Sequence, residues 1–212
     1  MGSSLNLMEY VESIKRYLMM ESINKERKHM NDMERFFIER TNKHISRVQD
    51  FIDTACEFYP ALANSLRRRG KLHDQSKFFI PERKYYIILT WRYKMQNEGK
   101  EYKINDKTNQ GILDASFHHV KNNPHHPEYW DKHLIKNPIN KDNRDKRDFI
   151  VDGTLMDELS MLEQVCDWSA MSIEHNETEG PKEWADNAIN KKWKFTNQQS
   201  DFIYEAIDLL WS

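Results

Sequence analysis

The feature that most constrains the fold is a long stretch without helix breakers at the start of the chain. After Gly2, neither glycine nor proline occurs until Pro60, and apolar residues recur at near-helical spacing from about Leu5 to Phe58. This spacing is typical of one or two amphipathic helices. Similar helical patterns occupy residues 60–77, 154–173 and 181–211. The sequence therefore predicts an all-α protein.

Length and charge suggest how the chain is divided. Its 212 residues are enough for one sizeable core, and a second domain is not required. The charged segment 1–40 precedes the first candidate functional residue, so we predict that it is an N-terminal helical extension used for packing or dimerisation. Residues 41–212 are predicted to form the main helical domain, closed by C-terminal helices.

Composition narrows the classes of partner. Lys and Arg total 32 against 34 Asp and Glu, giving a formal charge of −2, so no overall positive field attracts nucleic acid or anionic lipid. Nucleic acid is not excluded as a partner, because a local basic patch could bind it without an overall positive charge. No apolar run approaches about 18–20 residues, and the amino terminus lacks the pattern of a secretory signal. We expect a soluble, cytoplasmic protein with no membrane partner and with Cys56 and Cys166 as reduced thiols.

The most chemically informative motif is the His73–Asp74 doublet in LHDQSKF. An imidazole nitrogen beside a carboxylate oxygen suits a divalent ion such as Mn, Fe, Co, Ni or Zn. One doublet cannot hold an ion, so other ligands must come from elsewhere in the chain. The candidates are His44, His118, His119, His125, His126 and Asp167.

His44 and Asp167 are ambiguous when each is considered alone. His44 lies inside a helical pattern, where a hydrogen-bonded core or surface histidine is the more common role. Asp167 lies one helical turn after Glu163, and an acidic pair at this spacing is usually on the surface. The surrounding LEQVCDW is too apolar for a wholly wet face. We therefore expect at least one of the two carboxylates to point inward, where it needs a cation or a donor.

Four of the nine histidines fall within nine positions, in the segment FHHVKNNPHHPEYW. Adjacent residues on a helix point about 100° apart, so we expect each histidine pair to contribute one side chain inward. Two prolines favour a non-helical loop between and after the pairs. Three interpretations remain open: a metal-binding tract, a substrate grip that includes Tyr129 and Trp130, and an incidental polar loop.

The segments around the doublet carry basic and aromatic residues. Lys77 lies three residues after Asp74 and can either present an ammonium to a phosphate oxygen or remain on the surface. The run Arg67–Arg69 is interpreted as a solvated face that ends at Gly70, a predicted helix stop. The aromatic residues of 78–97 can stack on bases, but a core role is more typical of such a stripe.

Two polar stretches and one helix start complete the predicted organisation. Residues 97–110 are predicted to be a loop or lid, and residues 131–153 an exposed loop with alternating charges. Thr154 with Asp157 three residues later resembles a capping box and predicts a helix start at 153–154. Two closing helices are expected over 181–211, joined near 194–197.

The order of these motifs resembles the HD-domain metal-dependent phosphohydrolases. The combination of HDQSKF, HH, NPHHPEYW and CDW is also similar to a group of small phage and bacterial HD-like proteins of unassigned activity. The resemblance spans roughly residues 41–173. It implies an HD-domain-like helical bundle with extra N- and C-terminal helices. The metal ligands that it implies are His44, His73, Asp74 and Asp167.

The resemblance also implies an activity, namely hydrolysis of a phosphate ester by metal-activated water, with a nucleotide as the expected substrate. One or two ions of Mn, Fe, Co, Ni, Zn or Mg would serve as cofactor. The histidines are concentrated in one segment, unlike those of multi-metal HD enzymes, so the number of ions stays open. The expected catalytic residues are Asp74, Lys77, His118 and His119. The expected substrate-binding residues are Lys77, His125, His126, Tyr129 and Trp130.

Two alternatives to the hydrolase also follow from the resemblance. Some members of the superfamily carry a mixed-valence di-iron site and perform oxygenase chemistry. A catalytically silent helical module that binds a metal for stability is the other alternative. A small-molecule phosphate is the expected partner in the first case, and a homodimer is compatible with all three.

Overall fold

The structure, a computed structural model, describes residues 7–140, 146–176, 178 and 180–211, with side chains described at 19–21 and from residue 31 onward. Two short strands, β1 (Val151–Asp152) and β2 (Trp193–Lys194), and a 3-10 helix at Gln75–Phe78 accompany the α-helices. The α-helices are α1 (Leu7–Phe58), α2 (Ala63–Leu72), α3 (Arg83–Asn97), α4 (Asp106–Asn122), α5 (Pro127–Trp130), α6 (Glu158–His175), α7 (Pro181–Ala188) and α8 (Asn197–Leu210). The predicted all-α class is confirmed.

The breaker-free stretch forms one continuous helix, α1, of 52 residues. At 1.5 Å per residue this helix is about 78 Å long, more than a domain of this size needs to cross its core. Core packing by α1 is described from Met33 and Phe37 onward, which are 2% and 0% exposed. The predicted division of the chain at residue 40 therefore falls inside an unbroken helix whose buried face begins earlier.

Among the residues whose side chains are described, two groups of buried apolar residues form the core, and α1 contributes to both. The smaller group joins α1 to α3 and α4 through Phe37, Tyr86 and Ile112. The larger group joins α1 to α2, α6, α7 and α8, with Val48 among its α1 residues. His44 lies on α1 between Phe37 and Val48, so the helix carries it to the boundary between the two groups. The burial of Tyr86 supports the core interpretation of the aromatic stripe.

The expectation that Gly70 ends a helix is wrong. Gly70 lies inside α2 and is buried, and a Cβ atom built there would be 2.7 Å from Cδ1 of Ile52 on α1. The glycine thus permits close packing of α1 against α2. The helix instead stops at Leu72, because His73 leaves the helical conformation, with φ −53° and ψ 128°.

Two helices begin at other residues than predicted. The helix expected at Thr154 begins at Glu158, because Asp157 is its N-cap and accepts a hydrogen bond from the Ser160 amide. The predicted 97–110 loop covers only residues 98–105, because Asn105 caps α4 in the same way. At α6 the residue that caps the helix lies three positions after Thr154, the residue chosen from sequence, and at α4 the cap lies inside the stretch predicted as loop.

The segment 131–153 is less exposed than expected, although residues 141–145 of its charged run lie outside the described residues. Leu134, Ile139 and Val151 are at most 9% exposed. Val151 pairs with Trp193 in the parallel β1–β2 ladder. These contacts attach the segment to the core. The prediction of an exposed loop is therefore wrong for these apolar residues, whereas the charged residues on either side of them are mostly exposed.

No helix in the described part of the chain is both long enough and apolar enough to cross a membrane.

Substituting Gly111 on α4 should destabilise the fold. A Cβ atom there would lie 2.1 Å from Cε1 of Tyr85, so the aromatic ring must move. We expect Gly111→Val to cost roughly 2 kcal/mol, as overpacked cores do, and to lower Tm by about 4–8 °C in thermal unfolding followed by circular dichroism. Lys107→Val, at an exposed position of the same helix, is the control. Equal Tm values for both variants would contradict this packing.

Candidate metal centre

The His73–Asp74 doublet lies at a sharp turn between α2 and the 3-10 helix. Asp74 adopts φ 59° and ψ 7°, a left-handed conformation that is uncommon outside glycine but tolerated by aspartate. Both side chains are buried, with exposures of 2% and 1%. The turn therefore places an imidazole and a carboxylate together in the interior, where neither is stable without partners.

Four predicted ligands converge at this turn and form what we call the first donor set. His44 Nε2 lies 3.0 Å from Asp167 Oδ1 and 3.6 Å from Asp74 Oδ2. His73 Nε2 lies 3.8 Å from Asp167 Oδ1 and 3.9 Å from Asp74 Oδ2. Ligand atoms held at about 2.1 Å from one ion are about 3.0–4.2 Å apart. The spacing of the first donor set therefore suits a single divalent ion.

Three histidines of the predicted cluster form a second donor set on the other oxygen of Asp74. His119 Nε2 lies 3.1 Å and His125 Nε2 lies 3.8 Å from Asp74 Oδ1. His126 completes the set, since one ligand atom from each of the three histidines lies within 4.8 Å of the others. Asp74 thus presents one oxygen to each donor set.

Outer hydrogen bonds orient the imidazoles toward these donor sets. His73 Nδ1 lies 3.0 Å from Glu163 Oε1, and His119 Nδ1 lies 2.9 Å from Glu82 Oε2. A carboxylate accepts, so each Nδ1 carries the proton and each Nε2 faces the carboxylate of Asp74. Carboxylate partners of this kind are typical of metal-ligating histidines.

Unpaired polar atoms give a direct test of whether an ion fits. Among the described residues, Nε2 of His73, His125 and His126 and Oδ1 of Asp74 are buried without a hydrogen-bond partner. Nε2 of His73 lies 3.9 Å from Asp74 Oδ2, and Nε2 of His125 lies 3.8 Å from Asp74 Oδ1. Buried acceptors at this spacing are satisfied by a proton or a metal cation between them. The donors present therefore fit a divalent metal.

The titration behaviour of the first donor set indicates surplus negative charge. Burial lowers the pKa of His73, but the charge of Asp74 and hydrogen bonds with Asp167 and Glu163 outweigh burial and raise this pKa to about 10. Burial raises the pKa of Asp167, but hydrogen bonds with His44 and His73 hold it well below its usual value. In the metal-free protein, a proton on His73 balances these carboxylates.

The second donor set is electrostatically different. Burial lowers the pKa of His125 and lowers that of His126 well below its usual value. Both imidazoles are therefore neutral at pH 7 and keep a free lone pair. Neutral imidazole is the form that binds a metal.

Lys77 lies at the edge of the first donor set. Its ammonium contacts Asp74 Oδ2 and lies 5.2 Å from the ring centre of Tyr86. The Asp74 oxygen that it contacts is the one that the first donor set offers to an ion. In the metal-free protein, Lys77 thus supplies part of the positive charge that an ion would bring.

The remaining histidine and aromatic predictions have mixed outcomes. His118 and His119 divide as expected: His119 is buried, whereas the His118 side chain is 40% exposed and its Nδ1 lies 2.7 Å from Glu82 Oε1. The expectation that only one histidine of the second pair points inward is wrong. His125 and His126 lie on a turn with ring centres 4.1 Å apart, so the helical 100° rule does not apply.

Trp130 and Tyr129 lie outside both donor sets. The Trp130 indole N–H donates to the Pro124 carbonyl at 2.8 Å, which holds the histidine turn closed. Tyr129 is 43% exposed and packs edge-on against Trp130. Their substrate-binding role stays a prediction.

Sequence reasoning missed two residues that organise the site. Arg69, interpreted as solvated, is partly buried and donates to Glu163 Oε2 at 2.7 Å, whereas Arg67 remains on the surface beside Asp53. The sequence signal that could have identified Arg69 is its position one helical turn before His73. Glu82 is fully buried under two histidines, and no local pattern distinguishes it from other acidic residues.

A comparison with known families adds one finding. The sequence profile of a family described as "Family of unknown function (DUF5662)" matches residues 33–209. The chain belongs to the DUF5662 family. The DUF5662 match begins at Met33, the first α1 residue with a buried side chain among those described, and includes both donor sets. No curated protein and no solved structure matched the chain.

Proposed function

We propose that the chain is a metal-dependent phosphohydrolase that cleaves a phosphate ester. The observation that carries the proposal is the sharing of Asp74 between two buried donor sets. Two-metal hydrolytic centres hold their ions about 3.5–4 Å apart, a separation that the two oxygens of one carboxylate can bridge. The first donor set combines three protein elements, since His44, Asp74 and Asp167 come from α1, the turn after α2, and α6.

A divalent ion in such a centre lowers the pKa of a bound water and polarises a phosphoryl oxygen. The protein supplies fixed positions for the ligands, low exposure and nearby charges. Of the two histidines predicted to be catalytic, we assign His119 to metal ligation because its Nδ1 is held by Glu82. His118 is partly exposed and is the residue that we assign to protonating the leaving oxygen.

Lys77 is assigned to the phosphoryl group. Its ammonium contacts Asp74 Oδ2, an oxygen that would help to hold an ion. With an ion bound there, the ammonium would be free to pair with another anion beside the centre. A phosphoryl oxygen is the natural acceptor for that charge. The proposed substrate is therefore an anionic phosphate ester, with nucleotides as the first class to assay.

Replacing Lys77 with Gln should separate catalysis from metal binding. We expect kcat/KM to fall about 100-fold, as when one charge-stabilising donor is lost. Metal affinity should stay equal or increase, because the ammonium no longer competes for Asp74. Lys71→Gln, exposed on α2, is the control. A Lys77→Gln protein that loses metal and activity together would contradict the assignment.

Phosphate release by the reconstituted protein tests the proposed function. Chelator-stripped protein is supplied separately with Mn, Fe, Co, Ni, Zn or Mg and assayed against nucleotides and generic phosphate esters. We expect release of phosphate or of a phosphate-containing product only when an ion is present. Metal binding without turnover of any ester would instead favour the metal-binding module, and oxygen consumption by the iron form would favour the oxygenase.

A further inference from the structure

Two fully buried glutamates contact the donor sets without belonging to them. Glu82 is 0% and Glu163 is 2% exposed. Their oxygens lie against the Nδ1 atoms of histidines and not among the Nε2 atoms that face Asp74. Glu163 also forms, with His73 and His125, a group whose ligand atoms lie within 4.8 Å of one another. A carboxylate that accepts from Nδ1 of a ligating histidine orients that imidazole and fixes its tautomer.

Glu163 contacts one histidine from each donor set. Its Oε1 lies 3.0 Å from Nδ1 of His73 in the first set and 3.4 Å from Nδ1 of His125 in the second. Its other oxygen, Oε2, accepts from Arg69, whose guanidinium also donates to the Ser160 hydroxyl. Arg69 thus occupies Oε2 and leaves Oε1 to the two imidazoles.

Glu82 contacts only the second donor set. Its Oε2 accepts from the Ser76 hydroxyl at 3.0 Å and lies 2.9 Å from Nδ1 of His119. Its Oε1 lies 2.7 Å from His118, which belongs to neither donor set. No described contact joins Glu82 to His44 or to the other first-set ligands.

We infer that Glu82 and Glu163 are positioning residues that act on different numbers of ions. Glu163 orients one histidine ligand in each donor set, whereas Glu82 orients a histidine ligand of the second donor set alone. The inference rests on the proposed two-ion centre. The physical reason is tautomeric, because an acceptor at Nδ1 keeps the imidazole proton there and leaves the Nε2 lone pair for the ion. A variant without the carboxylate allows the proton to move to Nε2 and makes the imidazole a poorer ligand.

Metal titration of three isosteric variants tests this division without any activity assay. Mn²⁺ or Zn²⁺ is titrated by calorimetry into the chelator-stripped full chain carrying Glu82→Gln, Glu163→Gln or Glu174→Gln. Glu174 is the matched control, because it lies on α6 like Glu163 but pairs with Arg40 and Arg47. Loss of an outer carboxylate typically weakens metal affinity 10–100-fold.

The expected pattern is specific to each variant. Glu82→Gln should retain one ion at nearly wild-type affinity and bind the other at least about tenfold more weakly. Glu163→Gln should weaken both ions, and Glu174→Gln neither. Equal weakening of both ions by Glu82→Gln, or no effect of either site variant, overturns the inference. A wild-type chain that binds a single ion overturns it too.

Two further measurements keep the test decisive. If a Gln variant unfolds, Glu82→Asp and Glu163→Asp keep the charge and should partly restore affinity, which a purely packing role would not predict. Nitrogen-detected NMR of the stripped protein should show the Nδ1–H tautomer of His119 depleted in Glu82→Gln. Wild-type protein that binds two ions yet hydrolyses no ester would refute the phosphohydrolase and leave the positioning roles intact.

Discussion

Replacing Asp74 with Asn should abolish phosphate-ester hydrolysis and remove at least one bound ion. Asparagine has nearly the same shape but presents one carbonyl oxygen and one NH₂ group, and the NH₂ group cannot ligate a metal. Asp74 Oδ1 lies 3.1 Å from His119 in one donor set, and Oδ2 lies 3.6 Å from His44 in the other. Either amide orientation therefore disrupts one set.

The loss of activity should exceed about 100-fold, which is the upper effect of losing only an outer partner of a ligand. Steady-state rates and elemental analysis of the purified variant measure both effects. Asp50→Asn, at an exposed position on α1, is the control and should change neither. An Asp74→Asn protein with a full complement of metal and near-normal rates would refute the shared-carboxylate centre.

Supplying metal to the stripped protein should produce the largest change in stability. An ion that binds only the folded state at 1,000 times its Kd adds about 4.1 kcal/mol. For a chain of 212 residues this corresponds to a rise in Tm of about 8–16 °C. Differential scanning calorimetry with and without chelator measures the shift. A reversible Tm that is unchanged by every divalent ion would argue against both donor sets.

This stabilisation should grow with pH. His73 has a pKa of about 10 in the metal-free protein, against 6.5 for an ordinary histidine. Its proton therefore stabilises the metal-free fold below pH 6.5, and this contribution is lost as pH rises toward 10. An ion must displace the same proton, so its affinity rises about tenfold, or about 1.4 kcal/mol, per pH unit. If the metal-induced Tm shift stayed constant between pH 6.5 and 9, metal binding would not displace the His73 proton.

How much of the molecule was predictable depends on the range of the interactions involved. Helix formation in α1 and α6 follows from spacing within a few residues, and the sequence predicted both helices. Where they begin and end was less predictable, as the caps at Asn105 and Asp157 show. The prediction for Gly70 was wrong because the sequence does not distinguish a glycine that allows two helices to pack closely from a glycine that ends a helix.

The candidate site divides in the same way. The sequence alone determined an all-α protein with a His73–Asp74 doublet and a short list of partners, because residue chemistry and helical spacing are local properties. Only the tertiary structure decided that Asp74 faces two donor sets, that His125 and His126 both turn inward, and that Glu82 lies beneath His119. Glu163 meets His73 across 90 positions of sequence. Contacts at that distance are set by how helices pack, and no spacing rule within a helix encodes them.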